Sequence, residues 1–308
     1  MLEGVGDGTG FLPGDRRSYW QERVDEVLAA SPSSFRPNGF VVRAFQAAGA
    51  AIVHTPVPNE VPCRHLSAAL QTAVHIGDDT DRVAAIAGAW LGARWGATAV
   101  PARWAIMLHG WSGYRAKDLV RLAVLGAKKG RSASGRARWP GTEEMVGYYA
   151  ARWPAEPLVK PLQEDDGVLL ANVYGAVNAR ADVTISLCRM GRHDLVAGQA
   201  HEVRLVDEDE PAANPNLDFV LKDLAQAIVS WRAEGKTVLV HCVRAERRTP
   251  AVLPPSSRNA LGCPEWRHSN GYVTSSRGPA PTRPFWALSH GFGPKRPLPT
   301  SWALPCRL

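Results

Sequence analysis

Two stretches of this chain carry residue types and spacings that could do chemistry. The first is Gly77-Asp78-Asp79-Thr80-Asp81, three carboxylates within four positions, set directly before an apolar run. Burying several carboxylates together is costly unless something cancels their charge. A helix N-terminus could do so through its free N–H groups and dipole. A hard divalent cation could do so by taking Asp and Thr oxygens as ligands. Asp and Thr before an apolar run also mark an ordinary helix start, so capping alone stands beside the cation as an explanation.

The second stretch is Val238-Leu-Val-His-Cys-Val-Arg-Ala-Glu-Arg-Arg-Thr-Pro250, a strand, a loop and a helix start, with Pro250 suited to the first helical position. Cys242 and Arg248 enclose five residues, Val243, Arg244, Ala245, Glu246 and Arg247. The intervening N–H groups and the following helix start could cup the oxygens of a phosphate. Arg248 could hold two of those oxygens in a planar fork. In such positive surroundings Cys242 would supply a thiolate nucleophile. His241 is placed to orient the loop and Thr249 to donate to the sulfur.

The elements that must position these residues fall into two kinds. Residues 82–95 read as a helix with almost no polar face, hence a buried one. Its small residues, Ala84, Gly88, Gly92 and Gly96 and again Ala85, Ala89 and Ala93, would let neighbouring backbones approach closely. Around it the spacing predicts helices over Asp15–Ala30, from a cap at Asn38 through Ile52, over His65–Ile76, after Pro101, and over Leu119–Ala127. Residues 1–127 are thus expected to be all-α.

Residues 128–165 begin small and basic, continue irregular and Pro-punctuated, and read as a linker. From Val168 the pattern changes. Val168–Leu170, Val183–Leu187, Val203–Val206 and Val238–Val240 are strand-like runs, and Leu217–Trp231 is helical in spacing. Residues 166–253 therefore read as an α/β domain with a mostly parallel sheet. Residues 254–308 hold ten of the 24 prolines and no apolar periodicity, so a disordered tail is expected there. Pro254-Pro255 should stop the helix after Thr249 within about one turn. Either an out-of-frame reading or a basic extension would account for that composition.

Charge and cysteines narrow the classes. The tail carries seven Lys or Arg and one Glu, so it supplies +6 of the net +7. The basicity belongs to the tail rather than to a folded surface, which argues against nucleic acid as the partner. No apolar run is long enough to span a membrane, and the N-terminus lacks the pattern of a secretory signal. Five scattered cysteines without metal-type spacing fit a reducing cytoplasm.

Both stretches also resemble known families. Gly77–Asp81, the apolar run after it, Gly92-Ala-Arg-Trp-Gly96 and Pro101-Ala-Arg-Trp104 together resemble the ADP-ribosylglycohydrolase family, over roughly Arg16 to Ala127. The resemblance implies an all-helical, magnesium-binding hydrolase that releases ADP-ribose from an ADP-ribosylated protein or small acceptor. Within it Asp79 and Asp81 match two metal-binding aspartates of the family's C-terminal portion, and Arg82 stands where a further ligand is usually Thr. The loop His241–Thr249 resembles that of cysteine-dependent phosphatases, most closely the compact dual-specificity type. That second resemblance implies Cys242 as nucleophile, Arg248 as phosphate binder, a phosphorylated substrate and a general acid on the loop after residues 203–206, where Asp207 fits first and Asp209 second. It departs at Ala245, where the loop commonly has Gly, and at Glu246, an anion beside the anion site. Joined, the two imply a cytoplasmic bifunctional hydrolase impaired in both halves. The alternative is a non-catalytic remnant that binds ADP-ribose or phosphorylated ligands.

Overall fold

The computed structural model describes residues 13–130, 145–191, 199–208 and 210–253. The tail from 254 to 308, and with it Pro254-Pro255, lies outside the described residues, as does Asp209. The first region is all helical. Helix α1 (Gly14–Ala29), α2 (Val41–Val53), α3 (His65–His75) and α4 (Thr80–Trp95) form a layer, followed by the short α5 (Ala102–Met107) and α6 (Ala116–Ala127). Asn38 does not cap α2, whose N-cap is Phe40 without a side-chain bond. It serves the acidic turn instead.

Helix α4 departs from the expectation of a wholly buried element. It buries Val83, Ala87 and Leu91, one residue per turn, against α2 and α3. Trp90 also meets Phe45 edge to face, with ring centroids 5.0 Å apart. The Ala85–Ala89–Ala93 stripe faces outward and is exposed. Alanine is apolar enough to read as core yet loses little when it is left in water, so the periodicity overstates burial here.

The stretch expected as a connection, 128–165, carries two elements, α7 (Met145–Arg152) and β1 (Val159–Leu162). Met145 and Tyr149 are buried against Val173, Cys188 and Val243, so the helix packs on the sheet region. The sheet continues with β2 (Asp165–Asn172), the one-turn α8 (Val173–Ala176), β3 (Val183–Ser186), β4 (Gln199–Glu202), α9 (Leu217–Ala233), β5 (Val238–Cys242) and the one-turn α10 (Arg248–Ala251). The strand order is β1-β2-β5-β3-β4, parallel throughout except for the antiparallel β1–β2 pair. Central β5 is buried along its whole length, as its unbroken apolar run requires.

The expected strand at 203–206 lies four residues earlier, at β4. Val203 still donates to the Ser186 carbonyl at 2.7 Å, but beyond it the chain leaves the ladder. Asn214 then takes over the backbone of Val206, donating to its carbonyl at 2.8 Å and accepting from its N–H at 2.9 Å. A side chain thus replaces the strand neighbour that an apolar pattern had implied.

One apolar core runs through both regions, from Ala99, Ala102 and Ile106 to Leu217, Phe219 and Leu224. Polar contacts cross the same junction. The Ala102 N–H donates to Asp223 at 2.7 Å, and Asn216 donates to the Trp95 carbonyl at 2.7 Å. Arg103 pairs with Glu234 at 2.6 Å. Wholly buried Arg121 of α6 donates to the Met190 carbonyl at 3.3 Å. Helices α5 and α6 lie against β4, the edge strand, and so shield its unpaired backbone groups. Among the described residues no helix is long and apolar enough to cross a membrane.

Candidate functional sites

The acidic turn enters α4 through Gly77 and Asp78, both at positive φ, 88° and 59°. A non-glycine residue there is strained, and a clamp from the preceding loop holds it. Arg36 donates to both carboxylate oxygens of Asp78, at 3.0 and 2.8 Å. Asn38 donates to the Gly77 carbonyl at 3.1 Å and accepts from the Asp79 N–H at 2.8 Å. The Arg36 hydrogen bond holds the Asp78 carboxyl below its ordinary range. Asp79 stands at the N-cap of α4 but its side chain caps nothing. Its carboxylate meets the Arg82 guanidinium at 2.8 Å. Asp81, on the surface, is also held below the ordinary carboxylate range, first by hydrogen bonding with the Asp79 side chain.

The fold therefore brings Asp79 and Asp81 side by side. Magnesium accepts one or two carboxylates with the remaining positions filled by water or substrate oxygens. The obstacle is Arg82, whose positive charge occupies Asp79 where an ion would sit. No group of three or more His, Cys, Asp or Glu suited to a metal occurs among the described residues. As they stand these residues do not fit a resident magnesium ion, and the expectation of one rests on the resemblance alone. Arg82→Thr frees Asp79 and adds a hydroxyl ligand. We expect about 10 mM magnesium to leave the melting temperature of the natural chain unmoved and to raise that of Arg82→Thr by roughly 2–5 °C. Thermal melts with and without the ion check it.

The second site lies at the carboxyl end of β5, between its parallel neighbours β2 and β3. There the loop from Cys242 to Arg248 turns back on itself through Ala245 at φ 62°. That conformation is the one glycine adopts freely, which explains why Gly is common at this point of such loops. Cys242 is buried, and its sulfur accepts the Ala245 N–H at 3.2 Å. Thr249 was expected to donate to that sulfur; its hydroxyl is wholly buried and makes no hydrogen bond. The thiol thus takes its contact from the loop backbone.

Arg248 is buried, and its Nη1 donates to the carbonyls of Leu187 at 3.1 Å and Leu205 at 2.9 Å. Those two bonds fix the guanidinium plane from the ends of two separate segments. Nη2 lies 3.4 Å from Asp207, and Nε is buried without a partner among the described residues. The Nε–Nη2 edge, the edge that forks onto two oxygens of an anion, is therefore the less committed one. Asp207 also meets Arg247 at 3.6 Å. Glu246 is paired with Arg244 at 2.7 Å, which offsets its charge beside the loop. The structure thus gathers Asp207 and Arg248 beside the loop that starts at Cys242. Helix α10 is four residues long, as short as expected.

The His241 ring is held by a partner that no sequence signal marks. Its Nε2 meets the Ser186 hydroxyl on β3 at 2.7 Å, and only the β3–β5 register brings the two together. Ser186, and the carbonyls of Leu187 and Leu205, are the residues that pattern reading missed. Burial pushes the His241 imidazole down to about 4, so it is neutral at pH 7. Between pH 6.5 and about 4 the unfolded chain takes up a proton that the folded one refuses. The contribution is complete above pH 6.5 and is lost as the pH falls toward 4. His201 is pushed down to about 4 by burial as well and acts in the same window. We expect His241→Gln to recover on the order of 2 kcal/mol of the stability lost between pH 7 and pH 4.5, measured by guanidinium unfolding at both.

The comparisons with known proteins speak to the first site only. Residues 5–133 match the family model of ADP-ribosylglycohydrolase. The match takes in the whole acidic turn and α4. It ends before α7, so the sheet and the Cys242 loop lie outside the ADP-ribosylglycohydrolase match. No curated protein and no solved structure matches the chain.

Proposed function

We propose that the chain is a two-part hydrolase, with ADP-ribosylglycohydrolase-type residues on α4 and a cysteine-dependent phosphate-ester site at the Cys242 loop. The observation that supports the second site is the state of Arg248. Two main-chain carbonyls anchor one of its nitrogens, while Nε stays buried without a partner among the described residues, beside a loop whose sulfur already draws a backbone N–H. A buried guanidinium nitrogen left unpaired is costly, and a phosphate oxygen would satisfy it.

In this reading the Cys242 thiolate attacks phosphorus and forms the sulfur–phosphorus bond while the ester P–O bond breaks. Arg248 and the N–H groups of residues 243–249 hold the other oxygens. Asp207 gives its proton to the leaving oxygen, then accepts one from the water that cleaves the phosphocysteine. Asp79 and Asp81 remain the candidates for the ADP-ribose-releasing half, and no step there is routed through magnesium. Among the described residues Cys63, Cys188 and Cys242 are buried and form no disulfide, which supports a cytoplasmic setting for this chemistry.

The test is turnover of p-nitrophenyl phosphate by the full chain in excess EDTA, which we expect to be saturable. A second reading, binding without turnover, is favoured by one observation: Arg82 occupies Asp79 in the first site. Inorganic phosphate bound calorimetrically, with no p-nitrophenol released, would decide for it.

A further inference from the structure

A cavity of about 480 Å³ lies where the helical region meets the sheet, and its lining includes none of the residues assigned to the two sites above. We propose that it binds a small aromatic acid carrying a ring N–H. Its volume falls within the roughly 300–1,000 Å³ of small-molecule pockets. Val100, Ile106 and Leu119 from the helical region face Phe219 and Leu224 of α9 across it. These walls suit a flat apolar body.

Cavities that are only packing faults are lined by apolar groups and stay dry. This one is lined by polar groups as well, and three of them come from three separate elements. His201 of β4 lines it, and the ring makes no hydrogen bond among the described residues. Burial keeps that imidazole neutral at pH 7, with one donor and one acceptor to offer. Asp223 of α9 also lines it. One of its oxygens accepts the Ala102 N–H and the other is left to accept a second N–H, the feature that asks for a ring donor. Lys117 of α6, in the same lining, has no ion pair among the described residues, so it suits an anionic substituent. Of the other charges that line the cavity, Glu202 is taken by Arg204 and Arg121, and Arg115 adds positive charge.

Calorimetric titration of the full chain with indole-3-carboxylate, indole and tryptamine tests the proposal. We expect saturable one-to-one binding of the acid, about tenfold weaker binding of uncharged indole, and weaker binding again of cationic tryptamine. Leu224→Trp fills the cavity and should weaken the acid at least about tenfold. Lys117→Met changes a half-buried surface residue and should erase the acid's advantage over indole while leaving indole unchanged. Absence of saturable binding by the natural chain would mean a water-filled space and overturn the proposal. So would tryptamine binding as tightly as the acid, or an acid preference that survives Lys117→Met. Because Cys242→Ser leaves this cavity intact, loss of phosphatase activity and loss of indole-3-carboxylate binding are separate outcomes.

Discussion

Replacing Cys242 with Ser is expected to lower the metal-independent hydrolysis of p-nitrophenyl phosphate by at least about a thousandfold, without moving the unfolding midpoint. Serine is close in size to cysteine, and its hydroxyl can accept the Ala245 N–H that the buried sulfur accepts. What is lost is the nucleophile, because a hydroxyl is far less ionised than a thiol near neutral pH. Phosphate binding should survive, since Arg248 keeps its anchors at Leu187 and Leu205. Initial rates and phosphate titrations on both proteins separate chemistry from binding. A Cys242→Ser protein with undiminished turnover would remove the thiol mechanism outright.

Trp231→Ala carries the second large effect, this time on stability. The indole is 1% exposed, near the end of α9, inside the core that both regions share. The Arg103 guanidinium, from the helical region, lies 5.9 Å from its ring centroid. Truncating a buried Trp costs about 3–5 kcal/mol, a large share of the roughly 5–15 kcal/mol of a typical domain. Because the core is continuous, the loss should lower one cooperative transition rather than one of two. Guanidinium unfolding followed by circular dichroism and by tryptophan fluorescence should give coincident curves, both shifted. Two resolved transitions, with only the later one moved, would show that the regions fold independently.

What could be read from the residues alone was whatever short-range patterning sets. The 3.6-residue spacing placed the helices of the first region to within a few residues. The unbroken apolar runs at 168–170, 183–187 and 238–240 marked three strands of a mainly parallel sheet. The five-residue spacing from Cys242 to Arg248 sufficed to mark a loop that returns on itself, because a chain leaving a buried strand for a helix has few other ways to turn.

Tertiary structure decided everything that depends on partners distant in sequence. Whether α4 is buried on all sides depends on how many neighbours surround it, which alanine periodicity does not encode. Arg36 and Asn38 clamp a turn some forty residues away, and the anchors of Arg248 at Leu187 and Leu205 exist only because β3 and the 203–206 segment end beside β5. The junction cavity, with His201, Asp223 and Lys117 drawn from three elements, has no local signature at all. Backbone propensity and apolar spacing act over a few residues, whereas register, packing and the desolvation of a guanidinium are properties of the assembled chain.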